Sequence, residues 1–228
     1  MPASLNPTAD RVQADYFNSV TYRDPMHPVV SAYADPKIDY IQKHIPLEGK
    51  ILDVGCGNGI FTLRLAKKSA NVIGLDFSPL LLSQNPHPEL TRGDATALPF
   101  AAGSFDCVFE ANVLHHMQDR EGVIREMART SRRYVVLLEP NRYNPLMFGL
   151  SLAVREEIGV LKSSLTRLRA ELGRSGLRTL AHSTTGMISQ NNTPLALVPW
   201  LKRFDREIWW GEYIVLIAEK VPGPLAVS

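Results

Sequence analysis

The 228-residue sequence predicts an α/β fold, a doubly wound and mostly parallel sheet covered by helices on both faces. Two observations carry that prediction. Short runs rich in Val, Ile, Leu and Phe alternate with stretches of helical spacing, the pattern of strands buried on both sides. A glycine-dense turn joins the first such strand to its helix in "KILDVGCGNGIFTLRLA", Lys50 to Ala66, as in α/β folds that hold nucleotide-like ligands.

The elements follow in order. "PKIDYIQKHI" places Ile38, Ile41 and Ile45 on one helical face, and Pro46 and Gly49 stop it. Strand "ILDV" precedes helix "GIFTLRLAKKS", strand "NVIGLD", a helical turn at "SPLLLSQ" and a strand at "LTRGD". Strand "SFDCVFEAN", helix "REGVIREMARTS" and strand "RYVVLLEP" complete five strands. "SSLTRLRAELGRSGLR" puts Leu161, Leu165, Leu168 and Leu172 on one face and closes at Gly173 and Gly176. "RTLAHST" and "EYIVLIAEK" read as the last two strands. The organisation is an N-terminal lid segment, 1–36, and a domain over 37–228 with cap insertions near 141–162 and 186–211. Connections that long at the ends of parallel strands are where such sheets carry lids and substrate contacts.

Composition bounds the function. A net charge of +2 gives no strong preference for nucleic acid or an acidic membrane. Two cysteines, Cys56 and Cys107, do not make a disulfide scaffold, and a reducing cytoplasm is expected. The first residues, "MPASLNPTADRVQADYF", have neither the basic start nor the apolar core of a signal peptide. "PLMFGLSLAV" is far shorter than the roughly 20 apolar residues of a membrane span, so a soluble protein is expected.

The glycine turn excludes two ligand classes. Its glycines, Gly55, Gly57 and Gly59, are spaced G-x-G-x-G, and Ile60 stands where a dinucleotide fingerprint has its third glycine. A phosphate loop of the Walker type would end in Gly-Lys-Ser/Thr, which "GNGIFT" lacks. Asp53 lies two residues before the turn, where it would repel a phosphate and attract an ammonium or sulfonium group. Asp76 ends the second strand at the distance where a carboxylate meets ribose hydroxyls, and Phe77 after it could lie on a base. Asp94 could accept from an exocyclic amine, and Glu110 ends the fourth strand. The acids converge on one rim of the sheet.

At this point "ILDVGCGNG", "GLDFS", "GDATALPFAAGSFDCV" and "EANVLHHM" resemble the successive motifs of class I S-adenosylmethionine-dependent methyltransferases. The branch they resemble is the small-molecule one that includes the ubiquinone and menaquinone methyltransferases. The resemblance implies a Rossmann-like, seven-stranded sheet with the last strand inserted antiparallel. It also implies S-adenosyl-L-methionine as cofactor, with Asp53, Gly55, Cys56 and Gly57 forming the turn around its methionine part. Asp76 would hold the ribose hydroxyls, Phe77 would contact adenine, Asp94 would receive the adenine amine and Ala95 would offer a backbone N–H. Glu110 and Ala111 would line the methionine end, mainly through backbone.

The implied reaction is an in-line displacement on a sulfonium methyl, which needs alignment and water exclusion more than a strong acid. A base is needed only for an acceptor that arrives protonated. The candidates for that role are His115 and His116 in "VLHHM", Glu139 and Tyr143 in "LLEPNRYNP", and His182 on the sixth strand. No metal is expected, because adjacent histidines on a turn diverge and the sequence shows no partner cluster. Adenine and glutamine-amide methylation would need an Asn/Asp-Pro-Pro-aromatic run where this chain has "EANV", and neither cysteine suits cytosine C5 chemistry. Arg167, Arg169, Arg174 and Arg178 read as the solvated face of a leucine-striped helix and its flank, so nucleic acid is not the expected partner. Trp200, Trp209 and Trp210, with Tyr22 and Tyr33, could wall an apolar acceptor pocket, or bury against each other or a second copy. The expectation is methyl transfer to a small apolar or aromatic acceptor by a monomer or homodimer. The alternatives are a non-catalytic cofactor-binding sensor or partner subunit, and an RNA methyltransferase.

Overall fold

A computed structural model describes residues 20–203 and 206–221. The N-terminal aromatics Tyr16 and Phe17, assigned to the lid, lie outside them. The strands are β1 (Ile51–Val54), β2 (Val72–Asp76), β3 (Leu90–Arg92), β4 (Phe105–Ala111), β5 (Ser131–Pro140), β6 (Leu177–Thr185) and β7 (Tyr213–Lys220). They form one seven-stranded sheet in the order β3-β2-β1-β4-β5-β7-β6. Neighbours from β3 through β5 are parallel, while β7 runs antiparallel to both β5 and β6.

The continuous apolar runs of the central strands are explained by helices on both faces. Along β5, Tyr134, Val136 and Leu138 join one buried cluster and Val135 and Leu137 the other. Along β7, Val215 and Ile217 face the first cluster, and Ile214, Leu216 and Ala218 the second. The first cluster is closed by α1 (Pro28–His44), through Val29, Val30, Tyr33, Ile38 and Ile41, and by Leu65 of α2 (Thr62–Ala66). The second is closed by Val123, Ile124 and Met127 of α4 (Arg120–Thr130) and by Leu168 and Leu172 of α6 (Leu165–Arg174). Each fully buried Leu on such a face is worth about 1.5–3 kcal/mol of transfer free energy. The short α3 (Pro79–Gln84) is capped by Ser78, whose hydroxyl accepts from the Leu81 N–H.

Three helices differ from the sequence reading, and the one read over 59–69 is trimmed to Thr62–Ala66. α1 begins at Pro28 rather than near Pro36, so the 36/37 boundary falls inside a helix. Its first half packs as deeply as its second, with Val29, Val30 and Ala34 fully buried, and that burial outweighs the amide hydrogen bond lost at Pro36. The leucine-striped helix starts at Leu165, because Ser164 caps it by accepting from the Arg167 N–H; Leu161 belongs to a separate 3-10 segment, Arg155–Lys162. The two long connections carry short helices. The first holds α5 (Pro145–Ala153), capped by Asn144, and then the 3-10 segment. The second holds a 3-10 turn, Leu195–Leu197, and α7 (Val198–Leu201). No helix among the described residues is long and apolar enough to cross a membrane.

Tyr33 is core rather than pocket wall. It is buried, packs edge-on against Phe61 and Tyr213 at 5.8 and 5.1 Å, and its hydroxyl accepts from Asn112 Nδ2 at 3.0 Å.

Candidate functional site

The site grows from the turn after β1. Gly55, Gly57 and Gly59 have φ of 70°, 50° and 97°, a region that side chains with a Cβ enter only under strain. They differ in surroundings. A Cβ on Gly55 would lie 2.2 Å from a Val113 methyl, and one on Gly59 would lie 2.4 Å from Asn85 Oδ1. A Cβ on Gly57 would meet nothing within 4 Å, so a ligand can approach the backbone there. The turn is held in place from several sides. Asp76 accepts from the Gly57 and Ser78 N–H groups at 2.9 and 2.8 Å, and Asn85 Nδ2 donates to the Gly57 carbonyl at 3.2 Å. Asp53 accepts from Thr62 Oγ1 at 2.7 Å.

Both acids are buried, and burial raises their pKa values. Asp53 is pushed up to about 7 by burial, against the Thr62 hydrogen bond and with help from the Asp76 charge. Asp76 is raised by burial in spite of its backbone donors. A cation bound beside them would restore their ionised forms. The open face of Gly57 and the uncompensated acids fit a cofactor that carries a sulfonium and an ammonium charge.

Phe77 is exposed at the end of β2. Asp94 is half-buried, and its Oδ1 accepts from the Thr96 N–H and hydroxyl, both at 2.8 Å, with Ala95 inside the resulting turn. Cys56 is buried, and burial with the charges of Asp53 and Asp76 raises its thiol far above the range of a nucleophile. Burial pushes Cys107 up to about 12.

An N-terminal strap covers the turn. Asn58 Nδ2 donates to the Arg23 carbonyl at 3.0 Å, and Arg23 Nη1 donates to the Thr193 carbonyl at 2.7 Å. Buried Arg64 of α2 donates to Asp35 Oδ1 at 2.6 Å, to the Pro25 and Ile60 carbonyls at 3.0 and 2.6 Å, and to Ser31 Oγ at 3.1 Å. Next to Arg23, the Tyr22 phenol is raised by burial and by the charges of Asp76 and Glu157, so it feels both the turn and the cap.

The segment after β4 forms a second centre. Asn112 has φ 60°, and no other described non-glycine residue has positive φ. The chain then enters the 3-10 turn Leu114–His116. Glu139, at the end of β5, is fully buried and gathers that turn. It accepts from the Leu114 and His115 N–H groups, from His115 Nδ1 (each at 3.0 Å), and from Ser163 Oγ at 3.3 Å. Glu110 Oε2 accepts from the Val113 N–H at 3.1 Å, while Oε1 is buried with no hydrogen-bond partner among the described residues. Burial and the Glu139 charge push the Glu110 carboxyl well above the usual range. Burial works against the ionised form of Glu139 too, but His115 and Arg120 hold it below the usual range. Burial alone would lower His115; Glu139 and Glu157 outweigh it and lift it to about 9. His116 is lowered to about 3 by burial and by the charge on His115.

One expectation is overturned here. The two histidines do not diverge. Their ring centroids are 3.9 Å apart, and Glu157 of the 3-10 segment reaches them, so that one potential ligand atom from each of the three lies within 4.8 Å of the others. No local pattern signals it, because Glu157 is 41 positions from His116 in a cap insertion. Of the other base candidates, Tyr143 is 56% exposed with its ring 6.5 Å from that of Trp209. His182 stands apart from the other candidates, on edge strand β6, where it contacts Arg169 at 2.8 Å. Asn141 is structural: it is buried and donates to the Trp209 and Gly211 carbonyls at 3.0 and 2.9 Å. The four arginines of the α6 region have partners within the chain: Glu171 for Arg167, His182 for Arg169, Glu121 for Arg174 and Glu219 for Arg178.

Known proteins resemble this chain in part of its sequence and in its fold. A family described as "Methyltransferase domain" matches residues 52–137. The chain is 30% identical over 139 residues to the biotin biosynthesis bifunctional protein BioHC of Cellvibrio japonicus, covering 57% of this chain and 28% of that protein. It is 36% identical over 85 residues to a demethylmenaquinone methyltransferase of Corynebacterium efficiens, covering 36% and 37%. It thus spans about a third of the length of those two relatives. Among solved structures, a possible histamine N-methyltransferase of Thermotoga maritima superposes with a TM-score of 0.67 at 17% identity, over 85% of this chain and 92% of the other. That likeness concerns the fold alone. Residues 52–137 thus match a methyltransferase domain, on a sheet whose strand order sets an antiparallel β7 between β5 and β6.

Proposed function

We propose that the chain transfers the methyl group of S-adenosylmethionine to a small, apolar or aromatic acceptor. The observation that carries this reading is the open backbone of Gly57 beside the buried carboxyls of Asp53 and Asp76, the first placed for a cationic group and the second for hydroxyl donors. When bound, S-adenosylmethionine supplies an electrophilic methyl on a positively charged sulfur. Asp76 would hold the ribose hydroxyls, Phe77 and Asp94 the adenine, and Asp53 with the turn the methionine end. Ala111 and the backbone of Glu110 would line the methyl side. The Glu110 side chain is fully buried, so only its backbone would face the acceptor side.

The acceptor would react without a general base. At neutral pH His115 already carries its proton, and His116 is too weak a base at about 3 to take one. An amine, or a thiol or phenol that ionises by itself, fits this better than an alcohol. The cap supports an apolar acceptor, with a cleft of about 240 Å³ lined by Met187, Trp200, Arg206, Ile208 and Trp210.

The test is transfer of labelled methyl from S-adenosylmethionine into a metabolite extract, fractionated by polarity, beside calorimetry of cofactor binding. Label in amine, thiol or phenol products of low polarity is the expected result. Binding without any transfer would replace the reading with a sensor or partner subunit. Asp76→Ala should weaken binding by about 1–3 kcal/mol, and unchanged affinity would remove Asp76 from the site.

A further inference from the structure

We propose that His115, His116 and Glu157 form a binding site for a divalent transition-metal ion of the zinc type. Three features carry it. The first is distance. Two ligand atoms held about 2.0–2.1 Å from a tetrahedral ion lie about 3.4 Å apart, and His115 Nε2 is 3.5 Å from Glu157 Oε2. A ring nitrogen of His116 completes a set within 4.8 Å, so small side-chain adjustments close three bonds on one ion.

The second is the support behind the ligands. His115 Nδ1 meets Glu139 Oε2 at 3.0 Å, and Glu139 is itself fixed by the Leu114 and His115 N–H groups and Ser163. A carboxylate on the far nitrogen fixes the tautomer of a metal-binding histidine and turns its other nitrogen to the ion. The third is the way Glu157 is delivered. Gly159 lies so close to the His115 carbonyl that a Cβ there would sit 1.6 Å from the oxygen. The 3-10 segment therefore packs backbone to backbone on the histidine turn, and a glycine is the only residue that permits it.

Two imidazoles and one carboxylate are a borderline donor set that favours zinc over magnesium or calcium. Three protein ligands leave a fourth position for water or for an anionic heteroatom of a ligand. The ion would take the place of the proton that His115 Nε2 otherwise carries toward Glu157.

The test is metal binding, read without any methyl transfer, so its failure and that of the proposed activity are separable. Chelator-treated protein is titrated with Co²⁺, whose visible absorption reports coordination number, and the ion is then displaced with Zn²⁺. One ion per chain in a site of fewer than six ligands is expected. Glu157→Gln and His116→Ala should each weaken binding more than about tenfold, as loss of a ligand exceeds the loss from an outer-shell change. Circular dichroism checks that both variants fold, and Glu157→Gln, in a half-buried cap segment, keeps the test valid if His116→Ala does not. No stoichiometric binding, or variants that bind like the parent, would overturn the site and leave His115 as an imidazolium bridging two carboxylates.

Discussion

At Asp53 a single proton links cofactor binding to pH. Burial raises its pKa to about 7, so the folded chain holds this proton more tightly than the unfolded chain does. The stability that the protonated form contributes is present at low pH and is lost as pH rises toward 7. A cationic cofactor prefers the ionised form, so its affinity should rise with pH through about 7. Calorimetry across that range checks this, and Asp53→Asn should flatten the profile. The glycines offer a matched pair. Gly57→Ala should cost about 1–2 kcal/mol of stability, the strain of a left-handed conformation, yet lose most cofactor affinity because its Cβ enters the ligand's space. Gly55→Ala should destabilise by more, since its Cβ meets Val113. Denaturant melts beside binding titrations would separate the two. Asp53, Asp76 and the glycines were legible because a local motif holds each of them. Asn112 was not, since its side chain bonds a tyrosine 79 positions away.

Among the elements, α2 is short but decisive, because Arg64 ties the N-terminal strap to the glycine turn. Its carbonyl partners matter more than the half-exposed Asp35, whose ion pair is screened. Arg64→Met should therefore destabilise by about 2–3 kcal/mol, and the strap around Tyr22 should gain hydrogen exchange first. If the strap stays protected in Arg64→Met, other contacts hold it. Strand and helix order was legible throughout, because apolar runs and amphipathic spacing alternate cleanly from Ile51 to Pro140. The start of α6 does not show in the sequence, because Leu161 continues the leucine stripe in phase and only the Ser164 cap marks the break. The start of α1 was misread because Pro36 looks like an entry point, although burial of Val29 and Val30 carries the helix through it.

For the whole molecule, the sheet was predictable and the second centre was not. Sheet order follows from motifs spaced along one stretch of chain, whereas the contact of Glu157 with His115 depends on how a cap insertion returns to β4. Cofactor binding should stabilise the entire domain, since the glycine turn, β2 and the strap all touch the site. S-adenosylhomocysteine at 100 times its dissociation constant should add about 2.7 kcal/mol, which raises the melting temperature by roughly 5–10 °C for a chain of this size. A smaller shift in a thermal melt would mean that the ligand also binds the unfolded chain or that the domain does not melt as one unit. The position of β7 also sets a timetable. It is made after the other six strands, yet it lies between β5 and β6, and β6 pairs with nothing else in the sheet. During synthesis β1 to β5 can assemble while β6 waits beside an exposed edge. On the ribosome, then, the sheet closes only after Lys220 has emerged, and until then this chain depends on whatever shields the open side of β5.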